Sequence, residues 1–175
     1  TDVVNGTTYT YVVTALDTAL NESADSDEAT ATPGALNPSI TIQENEAGFC
    51  GVDGLIEDEH TGYTGDGYAN TDNAAGNGIN YSVNILASGT YTFLFRYAGV
   101  SSRPANLIVN GITEVSNISF PGTGAWTTWN TTSQIQVTLS AGVKTIRLEA
   151  AGSDGLANID YMQVNGTNIQ TAACP

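Results

Sequence analysis

The feature that most restricts the fold of this chain is a strict two-residue alternation of large apolar side chains in short runs. Tyr91, Phe93, Phe95 and Tyr97 take every second position of one run, and Ile79, Tyr81, Val83 and Ile85 of another. Two residues is the side-chain period of a β-strand, so each run lays one face on a core. Ile135, Val137 and Leu139 repeat the pattern in register with Trp129, and Ile146 and Leu148 follow. Turn signals at Ser88-Gly89, Asn110-Gly111 and Ala141-Gly142 separate the runs. Helix signals are nearly absent. The expected fold is all-β, a jelly-roll-like β-sandwich of two antiparallel sheets with long binding loops.

Between the first of these runs and what precedes it lies Gly48 to Gly78, rich in Gly, Asp and Asn. Structureless stretches beyond about 15 residues are uncommon in compact domains and are usually functional. This one holds the only histidine, His60, and the acids Asp53, Glu57, Asp58, Glu59, Asp66 and Asp72. It reads as an ordered binding loop, with Phe49 and Tyr68 anchoring it to the core. Two further loops, Pro121–Trp126 and Gly152–Leu156, are Gly-rich. Trp126 falls out of the parity of Trp129, so Trp126 is expected at a loop tip and Trp129 in the core.

Upstream, Tyr9, Tyr11, Val13 and Ala15 alternate, which predicts a strand with one buried face. Residues 1–34 read as a separate unit and residues 35–175 as the main domain. The main domain opens with Ile40, Ile42, Glu44 and Glu46 on one parity. An apolar face that runs into two carboxylates has reached the rim of a core, and the paired charge there calls for a cation. With four basic residues in the whole chain, a bound Ca²⁺ suits the pair better than a salt bridge; a solvated edge is the alternative.

Eighteen acidic residues against four basic ones give a net charge of −14. That argues against nucleic acid as a partner, because phosphate binding needs clustered Lys and Arg. No apolar run approaches the roughly 18 residues of a membrane span, and no signal peptide opens the chain. The expectation is a monomeric piece of a longer, secreted, extracellular protein. Cys50 and Cys174 match no zinc spacing; a disulfide tying the long loop to the C-terminus is the favoured reading, and two buried free thiols the other.

Catalytic motifs are missing. No G-x-S-x-G or H-E-x-x-H surrounds His60, which reads as an exposed polar loop residue. The acids cluster in one loop and one strand end, unlike the opposed pair of a glycoside hydrolase. Sugar binding fits better. Sugar rings stack their C–H faces on aromatics and their hydroxyls need amide, carboxylate and guanidinium partners. Tyr63, Trp126, Asn158 and Arg103 supply these from loops that converge at one end of a sandwich.

From about Ile40 to Val164 the chain resembles carbohydrate-binding modules of family 35, with family 6 the close relative. The matching pieces are Glu44-x-Glu46, GYTGDGYAN at 62–70, GNGINYSV at 76–83 and FRYAG at 95–99. RPANLIVNG at 103–111, TGAWTTW at 123–129 and NIDYMQVNG at 158–166 follow in order. The segment CGVDGLIEDEH at 50–60 looks like the variety attached to pectin-degrading lyases. Residues 3–33, with their Y-x-Y-x-V-x-A strand and D-x-A-x-N-E-S turn, resemble the last two strands of a fibronectin type III domain.

The resemblance implies a non-catalytic module, linked covalently to a catalytic domain, with a structural Ca²⁺ held by Glu44, Glu46 and Asp160. It implies a glycan site in which Tyr63 and Trp126 flank a sugar ring and Asn158 bonds its hydroxyls. In members that bind uronic acids a second Ca²⁺ helps hold the sugar carboxylate; Asp53 and Glu57 are the candidates here. Arg103, and after it Arg96, would contact that carboxylate. The expected ligand is a polysaccharide or oligosaccharide ending in glucuronic or unsaturated galacturonic acid. Neutral galactose, mannan or xylan, or a purely structural or adhesive role, are the alternatives.

Overall fold

The computed structural model describes residues 3–4, 7–33, 39–166 and 168–175. The chain divides into two compact units, one within Thr1–Leu36 and one within Asn37–Pro175. In the first, β1 (Tyr9–Tyr11) pairs antiparallel with β2 (Ala29–Ala31), and Leu16 bridges Glu22. The face expected to be buried here is not. Tyr11 is 49% and Val13 72% exposed, because two strands of three residues have no second layer to cover them.

The second unit opens with β3 (Ser39–Gln43), β4 (Phe49–Val52), β5 (Gly54–Glu57), β6 (Tyr68–Thr71), β7 (Gly78–Ile85) and β8 (Gly89–Ala98). It continues with β9 (Ala105–Val109), β10 (Ile112–Ile118), β11 (Asn130–Thr131), β12 (Ile135–Leu139), β13 (Gly142–Ala150), β14 (Asn158–Asn165) and β15 (Ile169–Thr171). One sheet has the order β10-β9-β13-β7-β15, with β4 also on β7. The other has the order β11-β8-β14-β6-β5, with β12 also on β8 and β3 on β14. All these pairings are antiparallel. Asn110 and Gly111, at φ 49° and 79°, make the tight β9–β10 turn that this dipeptide favours.

The alternating residues meet between the sheets. Ile79, Val83 and Ile85 of β7 share one buried cluster with Tyr91, Phe93 and Phe95 of β8, Leu107 of β9 and Val164 of β14. Truncating a buried aromatic such as Phe93 would cost about 3–5 kcal/mol.

Three strands lie inside the stretch read as one long loop, which leaves 58–67 and 72–77 as its irregular parts. Alternation is hidden there because glycines break it. The β4–β7 register shifts between Phe49 and Val52, and a Cβ at Gly54 would overlap the Asn70 carbonyl oxygen of the adjacent strand. Tyr68 is fully buried and Phe49 packs edge-on to Tyr81 with centroids 5.8 Å apart, both as anchors.

Two further expectations are corrected. Trp129 is only half-buried. Its ring lies beside Gly62, where a Cβ would come within 2.9 Å of Cδ1, and its Nε1 donates to the Thr61 carbonyl at 3.0 Å. Trp129 therefore holds the long loop down and is not part of the core. Glu46 does not continue the face of Glu44, because β3 ends at Gln43 and Asn45 turns the chain at φ 61°. Glu44 is 4% exposed, while Glu46 is exposed and accepts the Gln43 N–H at 3.2 Å.

Candidate functional site

Four loops and two strands border a cavity of about 120 Å³ lined by His60, Asn70, Asn73, Arg103, Trp126 and Asn158. Asn158, the first residue of β14, is 3% exposed and makes no side-chain hydrogen bond among the described residues. Asn70 comes from β6, and its Nδ2 donates to Glu57 Oε2 at 2.9 Å. The Tyr68 hydroxyl donates to the same carboxylate oxygen at 3.3 Å. Burial, and then the charge of Glu57, push the Tyr68 phenol up to about 12, so it remains a donor.

Arg103 sets the shape of the wall. Its Nη1 donates to the carbonyls of Asp154 (2.6 Å) and Leu156 (2.9 Å) and to Asn73 Oδ1 (3.2 Å). One nitrogen thus ties two loops together. Nε is buried without a partner, and Nη2 has none among the described residues. The guanidinium carbon lies 5.0 Å from the centroid of the Trp126 ring. Trp126 is half-buried and stacks in turn on His60, with centroids 6.0 Å apart and planes within 9°.

His60 is the residue that sequence reasoning missed. It is half-buried rather than exposed, its ring about 6 Å from those of Trp126 and Tyr68 and nearly parallel to both. Asn70 and Asn73 were also not singled out, since nothing in their spacing separates them from ordinary loop asparagines. Tyr63, expected against the sugar, does not line the cavity. Its ring packs on Tyr68 with centroids 5.8 Å apart, and the next residue, Thr64, is drawn away by a bond from its N–H to Asp160 Oδ1 at 2.9 Å.

Arg96 and the expected cation ligands gather elsewhere. Arg96 forms an ion pair with Asp160, donates to the Gly62 carbonyl at 2.9 Å and lies over the Trp129 ring at 5.3 Å. It is therefore committed to Asp160 and not to the cavity. Glu44 Oε1 accepts the N–H groups of Asp66 (2.9 Å) and Gly67 (2.7 Å), whereas Oε2 is buried with no partner. Burial raises the Glu44 pKa, and the charge of Asp160 adds to this. Among the described residues no three His, Cys, Asp or Glu side chains group as a metal site. The orphaned Oε2 beside Asp160 nonetheless fits a hard cation, which would supply the missing partner; exposed Glu46 stands outside this pair.

Asp53 and Glu57 are not brought to a common point on the cavity. Asp53 accepts from Arg147 Nη2 (2.5 Å) and the Gly78 N–H (3.0 Å), in the sheet of β7 and β13, and the Arg147 bond holds its pKa low. Glu57 faces Tyr68 and Asn70 in the other sheet. Cys50 and Cys174 form a disulfide. A larger cavity, about 320 Å³, lies beside that disulfide, lined by Asn80, Ile108 and Arg147 among others. It lacks a stacking platform: its aromatic, Tyr81, is 2% exposed.

A family model described as carbohydrate binding module (family 6) matches residues 51–166. The solved structure of a family 35 module from Cellvibrio japonicus Abf62 superposes with a TM-score of 0.75 at 40% identity, over 78% of this chain and 99% of that one. The chain belongs to the family 35 carbohydrate-binding modules, in the family 6-like superfamily. A second family 35 structure, solved in complex with a glucuronic acid containing disaccharide, matches at TM-score 0.73 and 40% identity, over 81% of this chain and all of that one. Among curated proteins, endo-1,4-beta-xylanase B of Cellvibrio japonicus is 41% identical over 138 residues, 77% of this chain and 23% of the xylanase. Alpha-L-arabinofuranosidase C of the same organism matches equally, over 22% of its length. The module thus spans under a quarter of these relatives.

Proposed function

We propose that the module binds a terminal uronic acid in the 120 Å³ cavity and so holds a plant-cell-wall-degrading enzyme on its polysaccharide. The observation that carries this is Arg103, which stacks on Trp126 with Nη2 unpaired among the described residues, at a cavity that three asparagine amides also line. A guanidinium matches a carboxylate in charge and geometry, Trp126 offers a face to the ring, and Asn70, Asn73 and Asn158 can bond hydroxyls. The relative solved with a glucuronic acid containing disaccharide supports the ligand class.

Ca²⁺ at Glu44 and Asp160 would neutralise buried negative charge and fix the 62–67 segment, since Thr64, Asp66 and Gly67 already bond to these carboxylates. Secretion agrees with the disulfide. The expected parent is a polysaccharide lyase of pectin-lyase type or a glycoside hydrolase; relatives named for xylan and arabinofuranoside cleavage support the second. Residues 1–34 we read as the tail of a fibronectin type III-like unit.

Calorimetric titration with glucuronic acid is the test. Binding in the micromolar to millimolar range, roughly −4 to −8 kcal/mol, is expected, with little heat from xylose or galactose. The three asparagines suit hydroxyls whatever the charge of the sugar, so a neutral sugar is the second reading. Equal binding of neutral sugars and glucuronate would favour it.

A further inference from the structure

His60 is the chain's only histidine, and the binding scheme just described gives it no task. It lines the cavity together with the asparagines, and its ring lies nearly parallel to those of Trp126 and Tyr68. Its plane lies within 10° of those of Tyr68 and Trp126, with centroids 6.1 and 6.0 Å away, which restrains the direction of the imidazole edge. We propose that His60 is a specificity-determining residue, which as imidazolium joins Arg103 in holding the carboxylate of an acidic sugar and makes that binding strengthen as pH falls. This deepens the uronate reading and rests on it.

Histidine is the side chain whose ordinary titration lies between pH 5 and 8, whereas a sugar carboxylate stays ionised down to about pH 4. Protonation therefore adds positive charge to the cavity without removing the negative charge of the ligand. In a chain of net charge −14, an acidic ligand meets repulsion that Arg103 alone must offset.

The charged and titratable groups around His60 come from several elements. Arg103, from the loop after β8, lies 5.0 Å from the centroid of Trp126. Tyr68, on β6, has its ring centroid 6.1 Å from that of the imidazole. Glu57, at the end of β5, is bonded to the Tyr68 hydroxyl, and Glu59, adjacent in the chain, also bears on that phenol. Asp58 is two residues away, and Asp72 and Asp154 flank the loops that supply Asn73 and the Arg103 acceptors. A ligand carboxylate beside the imidazole favours its protonated form, so binding and protonation should each promote the other.

The experiment is calorimetric titration of the whole chain with glucuronic acid and, separately, its uncharged methyl ester, from pH 8 to pH 5.5. Wild type, His60→Gln and His60→Phe are compared; the last keeps a stacked ring. Because there is one histidine, its imidazole C–H resonances can be followed by NMR without assignment. Glucuronate should bind wild type about three- to tenfold more tightly at pH 5.5 than at pH 8. The ester should show no such trend, both variants should lose it, and glucuronate should raise the NMR titration midpoint of His60. A flat profile in wild type, or an unchanged slope in His60→Phe and His60→Gln, overturns the assignment while leaving the uronate reading intact. Failure to bind glucuronate at every pH overturns both.

Discussion

The guanidinium of Arg103 and the indole of Trp126 form one wall, 5.0 Å apart, although they come from different loops. Neither can be changed without moving the other. Trp126→Ala should weaken glucuronate binding at least tenfold, through loss of the stacking face and of the support for Arg103. Arg103→Lys should weaken it similarly, because an ammonium cannot present the planar fork. The lysine variant should also melt a few degrees lower, since the Asp154 and Leu156 carbonyls lose their shared donor. Titration calorimetry and thermal unfolding separate the two effects.

Asp53 provides a negative control. Its carboxylate is fixed by Arg147, which also reaches the Gly76 carbonyl, Asn80 and Glu149. Asp53→Asn should cost about 0–1 kcal/mol, the pair being partly exposed. Its pKa is lowered from 3.8 in the folded state. The stabilisation is therefore present above pH 3.8 and lost as pH falls through the lower folded value. The variant should flatten that acid limb and leave glucuronate binding unchanged. Loss of binding would instead restore Asp53 to a cation site for the sugar.

The alternation of Tyr91 to Tyr97 and Ile79 to Ile85 made the sandwich legible, because every second side chain is buried and nothing else satisfies that period. Loop residues obey no period. Trp126 and Asn158, which line the cavity, were singled out because their chemistry suits a sugar and they lie in or just after Gly-rich loops. His60 was not, since only the fold reveals the two rings beside it. Trp129 had the parity of the core, but parity does not carry across the break between Thr131 and Ile135. Arg96 and Asp160 lie on neighbouring strands, with Tyr161 opposite Arg96, a relationship invisible before strand order is known.

The disulfide fastens the last residues to the sheet of β4 and β7, away from the residues that line the 120 Å³ cavity. Beside it the Ala172 N–H donates to the Ser82 carbonyl at 3.1 Å, and Ser82 Oγ to the Ala173 carbonyl at 2.9 Å. The linked residues are 124 apart in sequence, a span for which loop closure predicts about 4–5 kcal/mol before strain and residual structure reduce it. Cys174→Ser should lower stability by about 2–4 kcal/mol while glucuronate affinity stays within a factor of two. Denaturant unfolding and calorimetry read these independently.

Glu44 allows the proposed Ca²⁺ site to be tested through stability alone. Its pKa is raised from 4.5, first by burial and then in part by Asp160. For a carboxyl raised on folding, the favourable contribution is fully present below pH 4.5 and is lost as pH rises through the folded value. In EDTA, wild type should therefore lose stability across that interval, and Glu44→Gln, uncharged throughout, should not. Calcium reverses the sign, because it binds the ionised form: at 100-fold excess over Kd it should stabilise wild type by about 2.7 kcal/mol at pH 7. Glu44→Gln should forfeit most of that gain. Melting curves with EDTA and with Ca²⁺ at pH 4.5 and pH 7 give all the comparisons, and an equal Ca²⁺ response in both proteins would remove Glu44 from the site.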